Sequence, residues 1–251
     1  MLNSEEQTNK ICIEAVKSCP FALKYIKNQT EEICKLAVGI NSCVLQYVKE
    51  QTEEICKLAF VNDDCPLNIV HNQTENLCKI AVRQNGLSLR FVKEQTEEIC
   101  RLTIQQNSNA LEFVNEQTEE LCKLAVNQDG NSLYYVINKT PEICQLAIQR
   151  DCDAFKHVPE NMMTEELCRL AIQYSDSPYE TNPLKYIPEH LKTPELCKYA
   201  VQEHGYALKY VPENMKTEEL CRLAIQWASK SNRPYFKIDI LKFFPEHIKT
   251  T

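Results

Sequence analysis

The sequence is dominated by a short repeat in which a threonine is followed four residues later by a cysteine, with isoleucine or leucine directly before that cysteine. Six successive intervals of 22 residues separate the first seven threonines, and the last three follow at 24, 29 and 24. One unit of this length cannot bury its own apolar face, so such an array is typical of stacked repeats. Repeats 1 to 10 are numbered from Thr8, Thr30, Thr52, Thr74, Thr96, Thr118, Thr140, Thr164, Thr193 and Thr217.

The first half of each repeat has the pattern of an amphipathic helix. In repeat 2, Thr30 can cap a helix, and Glu31 and Glu32 then lie at the positive end of its dipole. Glu31 and Lys35 are four residues apart on the polar side, a spacing that seven repeats keep. The apolar stripe consists of Ile33, Cys34, Leu36, Ala37 and Val38. The pattern predicts a helix of about ten residues after each repeat threonine.

An asparagine or aspartate is predicted to end this first helix. It stands eleven positions after the threonine in repeats 2 to 7, and both residue types tolerate the left-handed conformation that ends many helices. Glycine follows it directly in two repeats. These residues are Asn41, Asp63, Asn85, Asn107, Asp129 and Asp151, with Gly86 and Gly130 after two of them.

The second half of each repeat carries a shorter apolar pattern. In repeat 5, Ala110, Leu111, Phe113 and Val114 lie at positions i, i+1, i+3 and i+4, which favours a short second helix over a strand. The alternative is a strand-plus-helix unit of the leucine-rich type, although its Leu-x-x-Leu-x-Leu-x-x-Asn pattern is absent. In the last four repeats a proline should end this helix, namely Pro159, Pro188, Pro212 or Pro245.

These patterns together predict an all-α protein, an α-solenoid of about ten short two-helix repeats of 22–24 residues. We expect a single repeat domain over residues 1–251. Within it, uniform units of the 22-residue type occupy residues 8–163, and longer Pro-Glu units with insertions and a C-terminal cap occupy residues 164–251.

Two segments resemble a known repeat family. They are AVRQNGLSLRFVKEQTEEICRLTIQQN, residues 81–107, and AVQEHGYALKYVPENMKTEELCRLAI, residues 200–225. Both are similar to the repeats of domain of unknown function 4116, which are short helical units found in giant DNA viruses, intracellular bacteria and protists. The resemblance implies helical repeats over nearly the whole chain and brings no known activity. The cysteine after Ile or Leu, and the Glu-Gln-Thr junction of the early repeats, depart from that family's pattern.

Charge and hydropathy narrow the classes of partner. The formal net charge is -7, with lysine and arginine scattered among glutamates, so nucleic acid is disfavoured as a partner. No apolar run is long enough to span a membrane or direct export, and a cytoplasmic protein, in host cytoplasm if it is viral or an effector, is expected. Its 14 cysteines are then expected to remain thiols.

Ten of the cysteines occupy one repeated position, which we call the cysteine ladder. Neighbouring members should lie about 8–10 Å apart, too far for a disulfide or a shared zinc ion. We therefore expect them to pack as small apolar residues and predict no metal and no cofactor. The four further cysteines, at the turns between helices, also lack metal-ligand spacing: Cys19, Cys43, Cys65 and Cys152.

No constellation typical of an enzyme interrupts the repeat, and no small-molecule substrate is indicated. The five histidines form no His-Glu-x-x-His pattern, and phosphate-binding glycine loops and Gly-x-Ser-x-Gly are absent. We therefore expect a protein without catalytic activity.

One position varies inside this fixed frame, between the recurring leucine or phenylalanine and the aromatic residue of the second helix. We call it the slot, and we expect its side chains to point away from the core. The slot residues of repeats 7 to 10 are all lysine, each four residues before a glutamate, so they either form a basic row or pair locally with those carboxylates. The ten slot residues are Lys24, Gln46, Asn68, Arg90, Glu112, Tyr134, Lys156, Lys185, Lys209 and Lys242.

Aromatic residues gather at two insertions in the C-terminal repeats. Tyr179 belongs to the first, and Trp227, Tyr235 and Phe236 to the second. Insertions in solenoids map to loops on one face and aromatic residues favour binding hot spots, but end-capping of the array is an equal alternative.

We conclude from the sequence that the chain is a non-catalytic scaffold or adaptor that binds another protein. The alternatives are a nucleic-acid-binding repeat protein and a structural component of a viral or host complex. The candidate contact residues are Arg90, Tyr134, Lys156, Lys185, Lys209, Lys242, Tyr179, Trp227, Tyr235 and Phe236.

Overall fold

The computed structural model describes residues 4–61, 67–175, 182–230 and 239–249. Each repeat opens with an α-helix, and a further short helix lies near the end of the described residues. The α-helices are α1 (Ser4–Ser18), α2 (Glu31–Ile40), α3 (Glu53–Val61), α4 (Glu75–Gln84), α5 (Glu97–Gln106), α6 (Glu119–Gln128), α7 (Pro141–Arg150), α8 (Glu165–Gln173), α9 (Pro194–Glu203), α10 (Glu218–Lys230) and α11 (Glu246–Lys249).

The predicted second helix is present, and it is a 3₁₀ helix. Its backbone hydrogen bonds join residues three positions apart, and this tighter winding suits short segments. No strand occurs in the described residues, so the fold is an all-α helical repeat and the leucine-rich alternative is wrong. The 3₁₀ helices span Pro20–Tyr25, Ser42–Tyr47, Leu67–Ile69, Gly86–Phe91, Ser108–Phe113, Gly130–Tyr135, Cys152–His157, Pro183–Lys185 and Gly205–Tyr210.

Threonine capping is confirmed in nine repeats. The hydroxyl of each repeat threonine from Thr30 to Thr217 accepts a hydrogen bond from the backbone N–H three residues later, at 3.2–3.4 Å. The seven predicted Glu-to-Lys/Arg pairs also form, for example Glu31 with Lys35 at 2.7 Å. Repeat 1 differs, because α1 begins at Ser4 and encloses Thr8.

The left-handed conformation predicted for the asparagine or aspartate after the first helix is wrong. Asn107 has φ -153° and ψ 109°, which is extended rather than left-handed. Its side-chain oxygen accepts a 3.0 Å hydrogen bond from the N–H of Asn109, so it caps the start of the 3₁₀ helix. Four further members do the same, while Asp63 lies outside the described residues: Asn41, Asn85, Asp129 and Asp151.

The glycines after this cap serve close packing instead of helix termination. A Cβ on Gly130 would lie 2.8 Å from the Cβ of Asp151 and 2.9 Å from its backbone nitrogen. Real Cβ atoms do not approach other atoms this closely, so only glycine lets the 3₁₀ helix of repeat 6 approach the end of α7.

Three of the predicted prolines end the 3₁₀ helix and start another turn. Pro159 follows Val158, the residue that closes the 3₁₀ helix of repeat 7. It precedes a further 3₁₀ turn, Glu160–Met162, with equivalents at Glu189–Leu191 and Glu213–Met215. The extra turn accounts for part of the greater length of these repeats.

The chain forms two compact units, residues 1–117 (repeats 1 to 5) and residues 118–251 (repeats 6 to 10). Within each unit, successive α-helices contact one another and the adjoining 3₁₀ helices, as stacked repeats do. The effect of stacking is visible at one equivalent position: Ile33 in repeat 2 is 0% exposed, whereas Ile11 in repeat 1, which no described repeat precedes, is 67% exposed. None of the described helices combines the length and apolar character needed to cross a membrane.

Candidate partner-binding surface

The slot side chains are exposed in all ten repeats, as expected. In repeat 9 the residue before the slot, Leu208, is buried, the slot residue Lys209 is exposed, and the next residue, Tyr210, is half-buried. This order recurs in repeats 2 to 9, because a 3₁₀ helix turns its neighbouring residues toward core, solvent and edge in sequence. The variable slot position is therefore one that faces solvent.

Half-buried rings follow the slot throughout unit 118–251. We call them the ring row: Tyr135, His157, Tyr186, Tyr210 and Phe243. The Nζ atoms of Lys185 and Lys209 each lie 5.3 Å from the ring centroid of the tyrosine that follows. In unit 1–117, Arg90 is likewise exposed, with its guanidinium carbon 4.6 Å from the ring centroid of Phe91. Ring and cation together form a flat, partly apolar surface.

In repeats 8 and 9 the slot lysines do not pair with the glutamates four residues later. Glu189 instead pairs with Lys192 at 2.7 Å, and Glu213 with Lys216 at 2.8 Å. The reason is the proline after the 3₁₀ helix: it starts a new turn, on which the glutamate and the lysine three residues later share one side.

The consequence is an uncompensated positive charge in the slot. Among the described residues no ion pair is found for Lys156, Lys185 or Lys209, while Lys242 pairs with Asp239 at 2.7 Å. The lysines that take the carboxylates are largely buried, with Lys192 7% and Lys216 10% exposed. Repeats 8 and 9 therefore each carry two lysines and one glutamate at this face. We call Lys156, Lys185 and Lys209 the lysine row.

Aromatic residues extend the lysine row toward repeat 6. The ring of Tyr134, the slot residue there, is 64% exposed and lies edge-on to His157 with centroids 5.1 Å apart. Burial lowers the pKa of His157, and the charges of Lys156 and Lys139 lower it further. The imidazole is thus kept neutral near pH 7, and it acts as an aromatic surface between two slot residues.

The aromatic insertions are only partly described. Tyr179, Tyr235 and Phe236 lie outside the described residues. Trp227 belongs to α10 and is half-buried, edge-on to Tyr206 with centroids 6.0 Å apart. The hydroxyl of Tyr206 lies 3.3 Å from Asp239, and its ring lies 6.1 Å from Phe243, so the last described segment packs over repeat 9 in the manner of a cap.

The cysteine ladder is buried from Cys34 to Cys221. Burial raises the pKa of all nine of these thiols, and it raises those of Cys168 and Cys197 to about 11. Because thiolates are the reactive and metal-binding form, these side chains are suited to packing.

One group of possible metal ligands is present among the described residues. Asp151, Cys152 and Asp153 bring their ligand atoms within 4.8 Å of one another. Asp151 is already engaged, because one of its carboxylate oxygens accepts from the N–H of Asp153 at 2.9 Å and the other from the amide of Asn131. Asp151 therefore serves as the cap of the 3₁₀ helix of repeat 7.

A glutamine at the repeat junction was not anticipated as a structural element. The Nε2 of Gln29 donates to the carbonyl oxygens of Leu23 in its own repeat and Tyr47 in the next, at 3.1 and 2.9 Å. Its Oε1 accepts from the N–H of Lys49 at 3.0 Å. Gln51, Gln73 and Gln95 repeat all three bonds. The signal in the sequence was the recurring Gln-Thr pair at these junctions.

The comparison with protein families agrees with this repeat structure. The model of the domain of unknown function DUF4116 matches residues 118–163, which are repeats 6 and 7. The resemblance seen in residues 81–107 and 200–225 is thereby confirmed in the segment between them. No curated protein and no solved structure shows a match to the chain.

Proposed function

We propose that this protein is a non-catalytic helical-repeat scaffold that binds another protein through unit 118–251. The binding surface is the face that carries the slot residues of this unit, which we call the slot face. The observation that carries the proposal is the contrast within repeats 2 to 9: the slot is exposed, whereas the residue before it is buried and the residue after it is half-buried. Repeat proteins place their specificity at such positions, because changes there leave the stack intact.

The composition of the slot favours this unit. In unit 1–117 the slot residues are Lys24, Gln46, Asn68, Arg90 and Glu112, which share neither charge nor shape. In the second unit they are Tyr134 followed by four lysines, beside the ring row. Exposed aromatic rings are enriched in protein interfaces, and exposed charges without an ion-pair partner favour a partner of the opposite charge.

The absence of catalysis is part of the proposal. The most numerous potential nucleophiles, the ladder thiols, are held protonated by burial. The ion pairs on the α-helices recur from repeat to repeat and converge on no single pocket.

Affinity capture from lysate tests the proposal directly. The full chain carrying Lys156→Glu, Lys185→Glu and Lys209→Glu is compared with wild type, after a circular dichroism check that the helix content is unchanged. We expect the triple variant to lose the captured proteins. A photo-crosslinking residue at position 209 should label the same proteins, which shows direct contact.

The matched control reverses three exposed charges on the α-helices, Arg150→Glu, Lys198→Glu and Lys230→Glu. It changes the net charge equally and should retain the partners. Equal loss in both variants, or retention in both, contradicts binding at the slot face. Nuclease treatment of the lysate serves as a further arm, since loss of capture after nuclease would show nucleic acid to be the ligand.

A further inference from the structure

We infer that the lysine row binds an extended acidic segment of a partner protein, one that presents a carboxylate at about every third residue. This inference rests on the proposed function and specifies the chemistry of the partner. Three observations carry it: the unpaired charge of the row, the spacing of its members, and the rings beside them.

The lysine row keeps its positive charge because the neighbouring glutamates lie beside other side chains. Glu189 and Glu213 are held by Lys192 and Lys216, on the turn after the slot helix. Glu160 lies 3.8 Å from the Nδ1 of His190, in the next repeat. The ammonium groups of Lys156, Lys185 and Lys209 are exposed, and no described residue forms an ion pair with them, so their hydrogen-bond donors can serve a ligand.

The spacing of the row follows from stacking. The slot helices of repeats 7 and 8, and those of repeats 8 and 9, have Cα atoms within 8 Å of each other. The axes of adjacent packed helices are about 8–10 Å apart, and equivalent exposed side chains extend from backbones at that spacing. An extended chain in the polyproline II conformation advances about 3.1 Å per residue and returns to the same side every third residue, a step of about 9 Å. Carboxylates at i, i+3 and i+6 therefore match the three ammonium groups.

The rings beside the lysines favour an extended peptide over an α-helix. Tyr186 and Tyr210 are half-buried beside their lysines, with ring centroids 5.3 Å from the Nζ atoms. The intervening residues of an extended segment can pack on these faces, and proline suits both the ring and the backbone conformation. An α-helix, about 10–12 Å across, would hold its backbone away from the rings.

The same geometry disfavours nucleic acid. A nucleic-acid strand carries a negative charge at every nucleotide, far more densely than one unpaired lysine per repeat can match.

Peptide binding to the purified full chain tests the inference by fluorescence anisotropy at low salt. The first peptide has glutamate at every third position, with proline and alanine between. The second has the same composition with its glutamates in one block. The third forms a helix with glutamate at every seventh position, and a single-stranded RNA of uridines is a fourth ligand.

We expect the first peptide to bind about tenfold more tightly than the other three ligands, because only it places each carboxylate on a lysine. The variant Lys156→Gln, Lys185→Gln, Lys209→Gln should lose that preference. The variant with arginine at all three positions should keep it, as should a control with Arg150→Gln, Lys198→Gln and Lys230→Gln. Equal binding of the first two peptides, or tighter binding of the helical peptide or the RNA, would overturn the inference.

The outcomes separate this inference from the proposed function. If lysate capture depends on the lysine row while the periodic peptide shows no preference, the acidic segment is wrong and the binding face stands. If capture is independent of the row, the binding face itself is wrong, whatever the peptides do.

Discussion

The Nε2 of Gln73 donates a 3.0 Å hydrogen bond to the carbonyl oxygen of Phe91, a residue of the following repeat. The same amide donates to Leu67 in its own repeat at 3.1 Å and accepts from the N–H of Lys93 at 3.0 Å. One side chain thus satisfies three backbone groups where two repeats meet. In unit 118–251 the junction holds lysine or methionine, and Lys139 donates to the carbonyl of Val136 instead, at 2.7 Å.

The variant Gln73→Met should be less stable than wild type by about 1–3 kcal/mol, because the carbonyl of Phe91 and the N–H of Lys93 lose their hydrogen-bond partner, while the carbonyl of Leu67 still accepts from the N–H of Val70. Urea denaturation followed by circular dichroism measures the effect. Gln84→Met is the control, since Gln84 is exposed on α4. A shift in the control as large as that in Gln73→Met would show that the bridging bonds do not stabilise the stack.

Two glycines should respond to alanine in opposite directions. In Gly130→Ala the new Cβ meets the backbone of Asp151 at 2.9 Å, and we expect destabilisation by about 1–3 kcal/mol. In Gly39→Ala the nearest side-chain atom, on Leu58, is 3.6 Å away, and α2 should gain about 0.5–1 kcal/mol. Thermal melts of both variants test this, and the expectation fails if Gly130→Ala is as stable as wild type.

The cap at the start of the 3₁₀ helix gives a third prediction. Asn107→Ala removes the bond to the N–H of Asn109 and should lower stability by about 1 kcal/mol. Asn107→Gly should bring no gain, because φ at this residue is -153° and glycine's freedom at positive φ is not used. An increase in the melting temperature of Asn107→Gly would instead support the left-handed conformation that the sequence suggested.

Thiol reactivity should divide sharply between exposed and buried cysteines. With pKa values of about 11, Cys168 and Cys197 carry about one thiolate per thousand at pH 8 and should resist iodoacetamide. Cys19 is exposed and should be modified readily. Mass spectrometry after timed alkylation measures the sites. Rapid modification of Cys168 or Cys197 without urea would contradict their role in packing.

The same pKa values set the direction of a pH effect. An unfolded cysteine has a pKa of about 8.5, so the unfolded chain loses these thiol protons at a lower pH than the folded chain does. The stability that depends on the protonated thiols is complete below about pH 8.5 and is lost as the pH rises toward 11. The urea midpoint should therefore be lower at pH 10 than at pH 7. This difference should be smaller in the double variant Cys168→Ala, Cys197→Ala.

Features that depend on a few neighbouring residues were predictable. The threonine caps, the ten-residue helices and the Glu-to-Lys/Arg pairs all join groups within one helical turn, so a single repeat specifies them. The slot was also found from the sequence, because the buried leucine before it and the ring after it frame the position. Tyr179, Tyr235 and Phe236 stay predictions, since they lie outside the described residues.

Features that depend on the next repeat were missed. The pattern of Gly130 suits a helix end, and only the approach of α7 shows that glycine is required for lack of space. One feature within a single repeat was missed as well: Glu189 has the right spacing to pair with the slot lysine, but the extra 3₁₀ turn places it beside Lys192 instead.

The sequence by itself determined the repeat register, the helical class and which side chains face solvent, since these follow from hydrophobic periodicity and local capping within each repeat. Only the tertiary structure decided that the second helix is 3₁₀, that junction glutamines bridge repeats, and that no carboxylate in the described part of the chain pairs with the lysine row. The physical reason is that hydrogen bonds and ion pairs between repeats depend on distances across the stack, and residues about 20 positions apart, such as Gln29 and Lys49, come together only when the repeats pack.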